Sequence, residues 1–218
     1  MFRSTDKIGI IGRSGCGKSY LCKLLQKLFP RRIIFDSVNE YQGRSLRRFS
    51  DWQSVLPELK DRSKELEIIF QADPFIKNQA QVFDESLKLL YFAGHLCIIT
   101  EEVQNFASVH SLPHWLRSCL LTGRHRDLAL MFTTQRPGEL HKTILSQCSH
   151  IFVGQLHDSN DIRYVSNFLG TSANSLAMLQ ERQFLYFSPG KGVNLVDNDL
   201  RACQPGHSGS QLTLIPTI

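Results

Sequence analysis

No stretch of the sequence approaches the roughly 18–20 consecutive apolar residues that a membrane-spanning helix needs, so no membrane span is expected. The amino terminus, MFRSTDKIGIIGRSG, has too short an apolar core for a secretory signal and breaks at Gly12, which points to an intracellular protein. None of the six cysteines (Cys16, Cys22, Cys97, Cys119, Cys148, Cys203) forms a C-x-x-C pair, and no Cys/His group has zinc-finger spacing. They read as buried free thiols in a reducing compartment, several of them inside apolar runs where Cys behaves as a small hydrophobe. There is no internal repeat and no long low-complexity segment. There is no strong charge excess either: 25 Lys and Arg against 20 Asp and Glu leave a formal charge of +5, which permits contact with nucleic acid without demanding it. A content of 42% hydrophobic and 21% charged residues excludes a mostly disordered chain. A length of 218 residues suits one compact α/β domain and is too short for two large ones.

What is present is an alternation of short apolar strands and helices. Strands are expected at 6–11, 32–35, 67–71, 96–100, 128–134 and 151–153. Helices are expected at 18–29, where Leu21, Leu24, Leu25 and Leu28 recur at helical spacing before Pro30, and at 51–64, 80–93, 114–122, 139–147, 158–169 and 172–180. FLYF at 184–187 and VNLV at 193–196 predict a closing hairpin around Pro189-Gly190. This order predicts a mostly parallel sheet covered on both faces. The expected organisation is one domain over residues 1–200, followed by a polar tail at 201–218.

Between the first strand and the first helix lies GRSGCGKS, which fits G-x-x-x-x-G-K-[ST]. The glycines let the backbone curl so that successive N–H groups face phosphate oxygens, and the helix N-terminus adds partial positive charge. Gly12, Arg13, Ser14, Gly15, Cys16, Gly17, Lys18, Ser19 and Tyr20 are therefore the expected nucleotide contacts. Lys18 is a cation for the β- and γ-phosphates and Ser19 a hydroxyl for Mg²⁺. The apolar strand LCIIT runs into Glu101 and Glu102. One carboxylate there can hold the Mg²⁺ shell and another can polarise the attacking water. We assign Glu101 to the metal and Glu102 to the water; Glu101 stands where Asp is usual, and its longer arm leaves the two roles open to exchange. Thr134, Gln135 and Arg136 follow another apolar strand at the ligand-facing edge of a parallel sheet, where Gln135 can sense the γ-phosphate.

Four segments together, GRSGCGKS, IIFDSVNEY (33–41), IITEEVQNF (98–106) and the block at 123–165 containing GRHRDLALMFTTQRPGEL, resemble the FtsK/HerA superfamily of P-loop ATPases, and within it the small viral genome-packaging ATPases. The resemblance covers about residues 6–196 and implies an α/β three-layer P-loop NTPase of RecA-like (ASCE) type. It implies ATP and Mg²⁺ as cofactors, a six-membered ring with nucleotide at the subunit interfaces, double-stranded DNA gripped without sequence preference in the central channel, and a capsid vertex or portal as a further partner. The place of action would be the cytoplasm, that of the host or the virion if the protein is viral. Lys18, Ser19, Glu101, Glu102 and Gln135 carry over to the site, and Arg124 and Arg126 are candidates for an arginine finger reaching a neighbour's nucleotide. Arg44, Arg47 and Arg48, in an expected loop, are candidate phosphate contacts along DNA. A DNA pump of a conjugative or mobile element uses the same residues. The other readings are a nucleotide-gated assembly protein with negligible turnover and, on fold analogy, a small-molecule kinase.

Overall fold

Apolar β-branched runs that fit a buried, doubly covered sheet form strands close to where the sequence places them. The computed structural model describes residues 2–42, 46–48, 52, 55–71, 77–197, 199–202 and 213–214. The strands are β1 (Lys7–Ile11), β2 (Arg31–Asp36), β3 (Leu46–Arg48), β4 (Leu66–Gln71), β5 (Leu96–Thr100), β6 (Leu128–Thr134), β7 (His150–Val153), β8 (Gln183–Ser188), β9 (Gly192–Asp197), β10 (Arg201–Ala202) and β11 (Thr213–Leu214). They make one sheet in the order β11-β10-β9-β8-β7-β1-β6-β5-β2-β4-β3. From β3 to β7 all neighbours are parallel, and β8 to β11 add an antiparallel end. The expected hairpin is β8–β9.

Among the described residues, six α-helices cover the sheet: α1 (Lys18–Leu25), α2 (Leu56–Lys60), α3 (Gln79–Ala93), α4 (His114–Thr122), α5 (Lys142–Ser146) and α6 (Ser159–Leu169). Side chains alternate along each strand, so the two faces carry different sets. Ile8, Ile10, Ile34, Ile99 and Met131 pack with Leu21, Cys22 and Leu25 of α1. Ile33, Phe35, Ile98, Leu130 and Phe132 pack with Phe83, Leu87 and Leu90 of α3, Leu116 and Leu120 of α4, and Val165 of α6. This is the three-layer arrangement that the resemblance implied.

Four expected helices come out differently: 18–29 is α-helical only over Lys18–Leu25 and closes in a 3₁₀ turn at Gln26–Leu28. Of 51–64, only Leu56–Lys60 is helical among the described residues. Arg31 holds its end by donating to the carbonyl of Leu59 in the last turn, a group a helix C-terminus leaves unpaired, and to those of Asp61 and Lys64 beyond it. The segment 139–147 divides into a 3₁₀ turn at Pro137–Glu139 and α5, because Leu140 between them is extended. Of the segment 172–180, residues 172–178 lie in a 3₁₀ stretch, Gly170–Met178, whose Thr, Ser and Asn side chains compete with α-helical bonding, and Leu179 beyond it is extended. The expected loop for the basic cluster is corrected in part: Arg47 and Arg48 lie on β3, hydrogen-bonded alongside β4, and Arg44 lies outside the described residues. Of the expected tail, 203–212 and 215–218 lie outside the described residues.

β1 sits between β6 and β7, and β5 lies on the far side of β6. In register, Ile11 pairs with Thr134 and with Val153, and Thr100 with Phe132. The loops leaving β1, β5 and β6 therefore emerge together at one edge of the sheet, the C-terminal edge where parallel α/β sheets bind ligands.

Candidate functional site

The loop after β1 is anchored on both sides. Gly12 N–H donates to the Thr134 carbonyl (3.2 Å), Arg13 N–H to the Gln155 carbonyl (2.8 Å), and Arg182 N–H to the Cys16 carbonyl (3.0 Å). The Arg13 guanidinium adds a bond to the Gln155 side chain at 2.6 Å. A Cβ on Gly12 would lie 2.6 Å from Cys16 Sγ and 3.3 Å from Gly154 Cα, so only glycine fits there. Gly17, with φ of 100°, turns the chain into α1 in the left-handed conformation that glycine adopts without strain. No side chain caps α1, and its first turn holds no acid. Its free N–H groups point out of the helix start with their partial positive charge, beside exposed Ser14 and Gly15.

Lys18 is 6% exposed; its ammonium donates to the Arg13 carbonyl at 3.2 Å and stands 3.8 Å from Glu102 Oε1. Ser19 is the half-buried second residue of α1. The Cys16 side chain is buried under the loop, and burial pushes its thiol above the ordinary range. Tyr20 turns outward, its hydroxyl donating to Asp199 at 3.0 Å and its ring lying 5.8 Å from the Arg182 guanidinium.

The two acids diverge. Glu102 faces Lys18 and is the hub of the site: Gln135 donates to it through its backbone N–H (3.1 Å) and its side-chain amide (2.9 Å), and Gln104 donates at 2.6 Å. Its backbone has φ of +48°, a left-handed conformation that costs a non-glycine residue about 1–3 kcal/mol and that collects at functional sites. Glu101, expected on the metal side, is turned further in. It is 2% exposed, and its two oxygens accept from Thr133 Oγ1 (2.6 Å) and the Tyr41 hydroxyl (3.0 Å). Burial raises its pKa, against the lowering effect of those two bonds. Thr133 in turn accepts from the Glu102 N–H at 2.9 Å, joining the acids.

One chain thus brings Gly12 to Ser19, Glu101, Glu102 and Gln135 to one edge. It does not bring Arg124 and Arg126 there. Both lie in the 3₁₀ turn Gly123–Arg126, just before β6 starts, at the opposite edge of the sheet; a strand of seven residues separates that edge from the site, about 20 Å. Arg124 is exposed, and the Arg126 guanidinium lies over the rings of Tyr91 and Phe92 at 5.5 and 5.8 Å. Sequence reasoning gave no role to Tyr41, Thr133 or Gln104. Tyr41 and Gln104 lie inside two of the four family-like segments, which was the available signal.

The residues fit a magnesium triphosphate. The helix start and Lys18 are donors for an anion. Gln104 Oε1, on the side chain that donates to Glu102, is buried with no hydrogen-bond partner among the described residues, which leaves an acceptor beside Glu102 for coordinated water. Among the described residues no cluster of three or more His, Cys, Asp or Glu side chains is placed to hold a metal by itself. Mg²⁺ keeps several waters and takes one or two protein ligands plus phosphate oxygens, a set to which the Ser19 hydroxyl can contribute.

Comparison with known proteins agrees with this geometry. The family model described as ABC transporter matches residues 2–149. The chain belongs to this family. The match takes in the phosphate loop, the acids after β5 and the end of β6. The fold is that of the P-loop NTPases. The structure of the genome packaging NTPase B204 from Sulfolobus turreted icosahedral virus 2 in complex with AMPPCP superposes with a TM-score of 0.69 at 20% identity, covering 89% of this chain and 98% of that one. The pCW3 conjugation coupling protein TcpA superposes with a TM-score of 0.59 at 13% identity, covering 88% of this chain and 59% of that one. Protein P9 of Pseudoalteromonas phage PM2 is 24% identical over 177 residues, 78% of each chain. Among the described residues no helix is long and apolar enough to cross a membrane.

Proposed function

We propose that this protein is an ATPase that drives double-stranded DNA into a preformed viral capsid, working as a ring of identical copies. The observation that carries the reading is the convergence of Lys18, Glu102 and Gln135 at the edge where the phosphate loop meets α1. The closer superposition on a genome packaging NTPase, at a TM-score of 0.69 against 0.59 for the conjugation coupling protein, supports packaging over conjugative transfer.

In this reading the N–H groups of residues 14–19 and the Lys18 ammonium hold the triphosphate, and Ser19 offers its hydroxyl to Mg²⁺. Bound there, the metal would supply charge neutralisation to the phosphates. Lys18 exchanges its pairing with Glu102 for phosphate oxygens. Glu102, still held by Gln135 and Gln104, then accepts a proton from the water that attacks the γ-phosphate in line. Gln135, bonded to Glu102 through both main chain and side chain, links that proton acceptor to β6 and serves as the polar sensor. Glu101 lies behind, fixed by Thr133 and Tyr41, and supports the water shell of the metal. Arg124 or Arg126 of a neighbouring copy stabilises charge on the transferring phosphoryl group. Arg47, Arg48 and Arg44 contact DNA phosphates, a backbone grip that weakens with salt.

Phosphate release by the wild type and by Lys18→Ala, with and without duplex DNA, tests this. The wild type turns over ATP, duplex DNA raises the rate, and the increase fades as salt is added. Lys18→Ala shows no turnover. Full activity in that variant would remove the assignment.

A further inference from the structure

The segment DSVNEY, which begins with the last residue of β2, enters the chemistry above only through the bond from Tyr41 to Glu101, yet several further contacts hold it in place. Asp36 is fully buried, and its two oxygens accept the N–H groups of Glu40 (3.0 Å) and Tyr41 (2.9 Å). Gln71, at the end of β4, donates to the Tyr41 carbonyl at 2.9 Å. The Lys23 ammonium of α1 stands 4.9 Å from the centre of the Tyr41 ring. These contacts clamp the Tyr41 backbone and ring, and they bring its hydroxyl to Glu101 Oε1 at 3.0 Å and to Gln26 Oε1 at 3.3 Å. A phenol has one proton to give. The carboxylate is the nearer and stronger acceptor. Turning the Gln26 amide over would then let Gln26 donate to the same phenol oxygen, completing the chain.

We propose that Tyr41, delivered by Asp36, is a positioning residue for the acidic pair: its hydroxyl and that of Thr133 pin the two oxygens of Glu101, so that the carboxylate meets the water shell of a bound Mg²⁺ in one fixed orientation. The proposal rests on the reading of this site as one for a magnesium triphosphate. Three further contacts fit a positioning role. Ser37 Oγ, one residue beyond Asp36, donates to the Glu101 carbonyl at 2.8 Å, and the Glu101 N–H donates to the Phe35 carbonyl at 3.0 Å, so the turn after β2 grips backbone and side chain of the same residue. Thr133 carries the constraint on to the Glu102 N–H, so a loosened Glu101 also loosens the residue that faces Lys18. The bond from Tyr41 is buried, so water does not replace it when it is removed.

The test is binding of a non-hydrolysable ATP analogue as a function of Mg²⁺, with steady-state turnover measured alongside. Tyr41→Phe keeps the ring and its packing and removes only the hydroxyl. The expected result is a rise of about fivefold in the Mg²⁺ concentration for half-maximal analogue binding, with metal-free binding unchanged, and a fall of about tenfold in kcat with little change in KM for ATP. Asp36→Asn, which frees the turn, moves both quantities in the same direction. Wild-type Mg²⁺ dependence in Tyr41→Phe overturns the proposal. Loss of metal-free binding together with a lowered melting temperature also overturns it, because Tyr41 would then be a packing residue only. If the wild type binds the analogue but does not turn over, the hydrolysis reading fails, and the Mg²⁺ dependence of binding still decides the role of Tyr41.

Discussion

Glu102 shows how much one residue carries. Its backbone is held left-handed, three donors from Gln135 and Gln104 surround its carboxylate, and Lys18 stands opposite. Glu102→Gln keeps the size of the side chain and removes the proton acceptor. Turnover should fall by about 100-fold or more, the contribution expected of a general base, while analogue binding persists. Phosphate release paired with an equilibrium binding measurement checks both parts; a variant that loses binding along with turnover would mean that Glu102 shapes the pocket instead. Lys18, Glu102 and Gln135 were legible in the sequence because each follows an apolar strand, and parallel strands present their following loops at one edge. The divergence of Glu101 from Glu102 was not legible. It depends on the positive φ at Glu102 and on Tyr41 and Thr133, which reach Glu101 across 60 and 32 positions of sequence.

At the scale of elements, the central strands were read nearly residue for residue because burial on both faces requires continuous apolar runs: 96–100 and 128–134 stand as expected, whereas β3, β10 and β11 at the sheet's ends, which lack such runs, were not read. The shorter helices were misread where local polar competition or a distant partner decides them. Arg31 holding the end of α2 from a neighbouring strand is such a partner. The outer end of the central strands holds a buried network that the sequence did not announce. His150, at the start of β7, is bonded to Asp6 at 3.0 Å and to Tyr186 of β8 at 2.7 Å, and Asp6 also accepts from Ser149 and the Arg3 N–H. Burial works to raise the Asp6 pKa, but the bonds from His150, Arg3 and Ser149 outweigh it and hold the carboxyl below its ordinary value of 3.8. A depressed carboxyl stabilises the fold at pH above its unfolded value, and that contribution disappears as pH falls through the folded one. Asp6→Asn should therefore melt at lower temperature than the wild type near neutral pH, by a few degrees. The difference should shrink as pH is lowered below 3.8. A gap that stays constant into acid would contradict the ionised network.

At the scale of the whole molecule, the position of Gly123–Arg126 matters most. The segment lies at the edge of the sheet opposite the phosphate loop, so neither arginine can serve the nucleotide of its own chain, and any catalytic use requires a second copy docked head to tail. Arg126 is engaged with Tyr91 and Phe92, which leaves Arg124 as the stronger choice for the reaching residue. The family resemblance implied a ring, and the strands put Gly123–Arg126 and the phosphate loop at opposite edges of the sheet. The account turns on the claim that a triphosphate held by one copy is broken with help from the next in order to move DNA. The most direct measurement is duplex-stimulated phosphate release from a mixture of Lys18→Ala and Arg124→Ala proteins, each inactive alone. In randomly mixed rings about a quarter of the interfaces pair an intact phosphate loop with an intact arginine, so the mixture should recover up to about a quarter of wild-type turnover. A mixture that stays as inactive as its two components, when the wild type is active under the same conditions, would contradict the account.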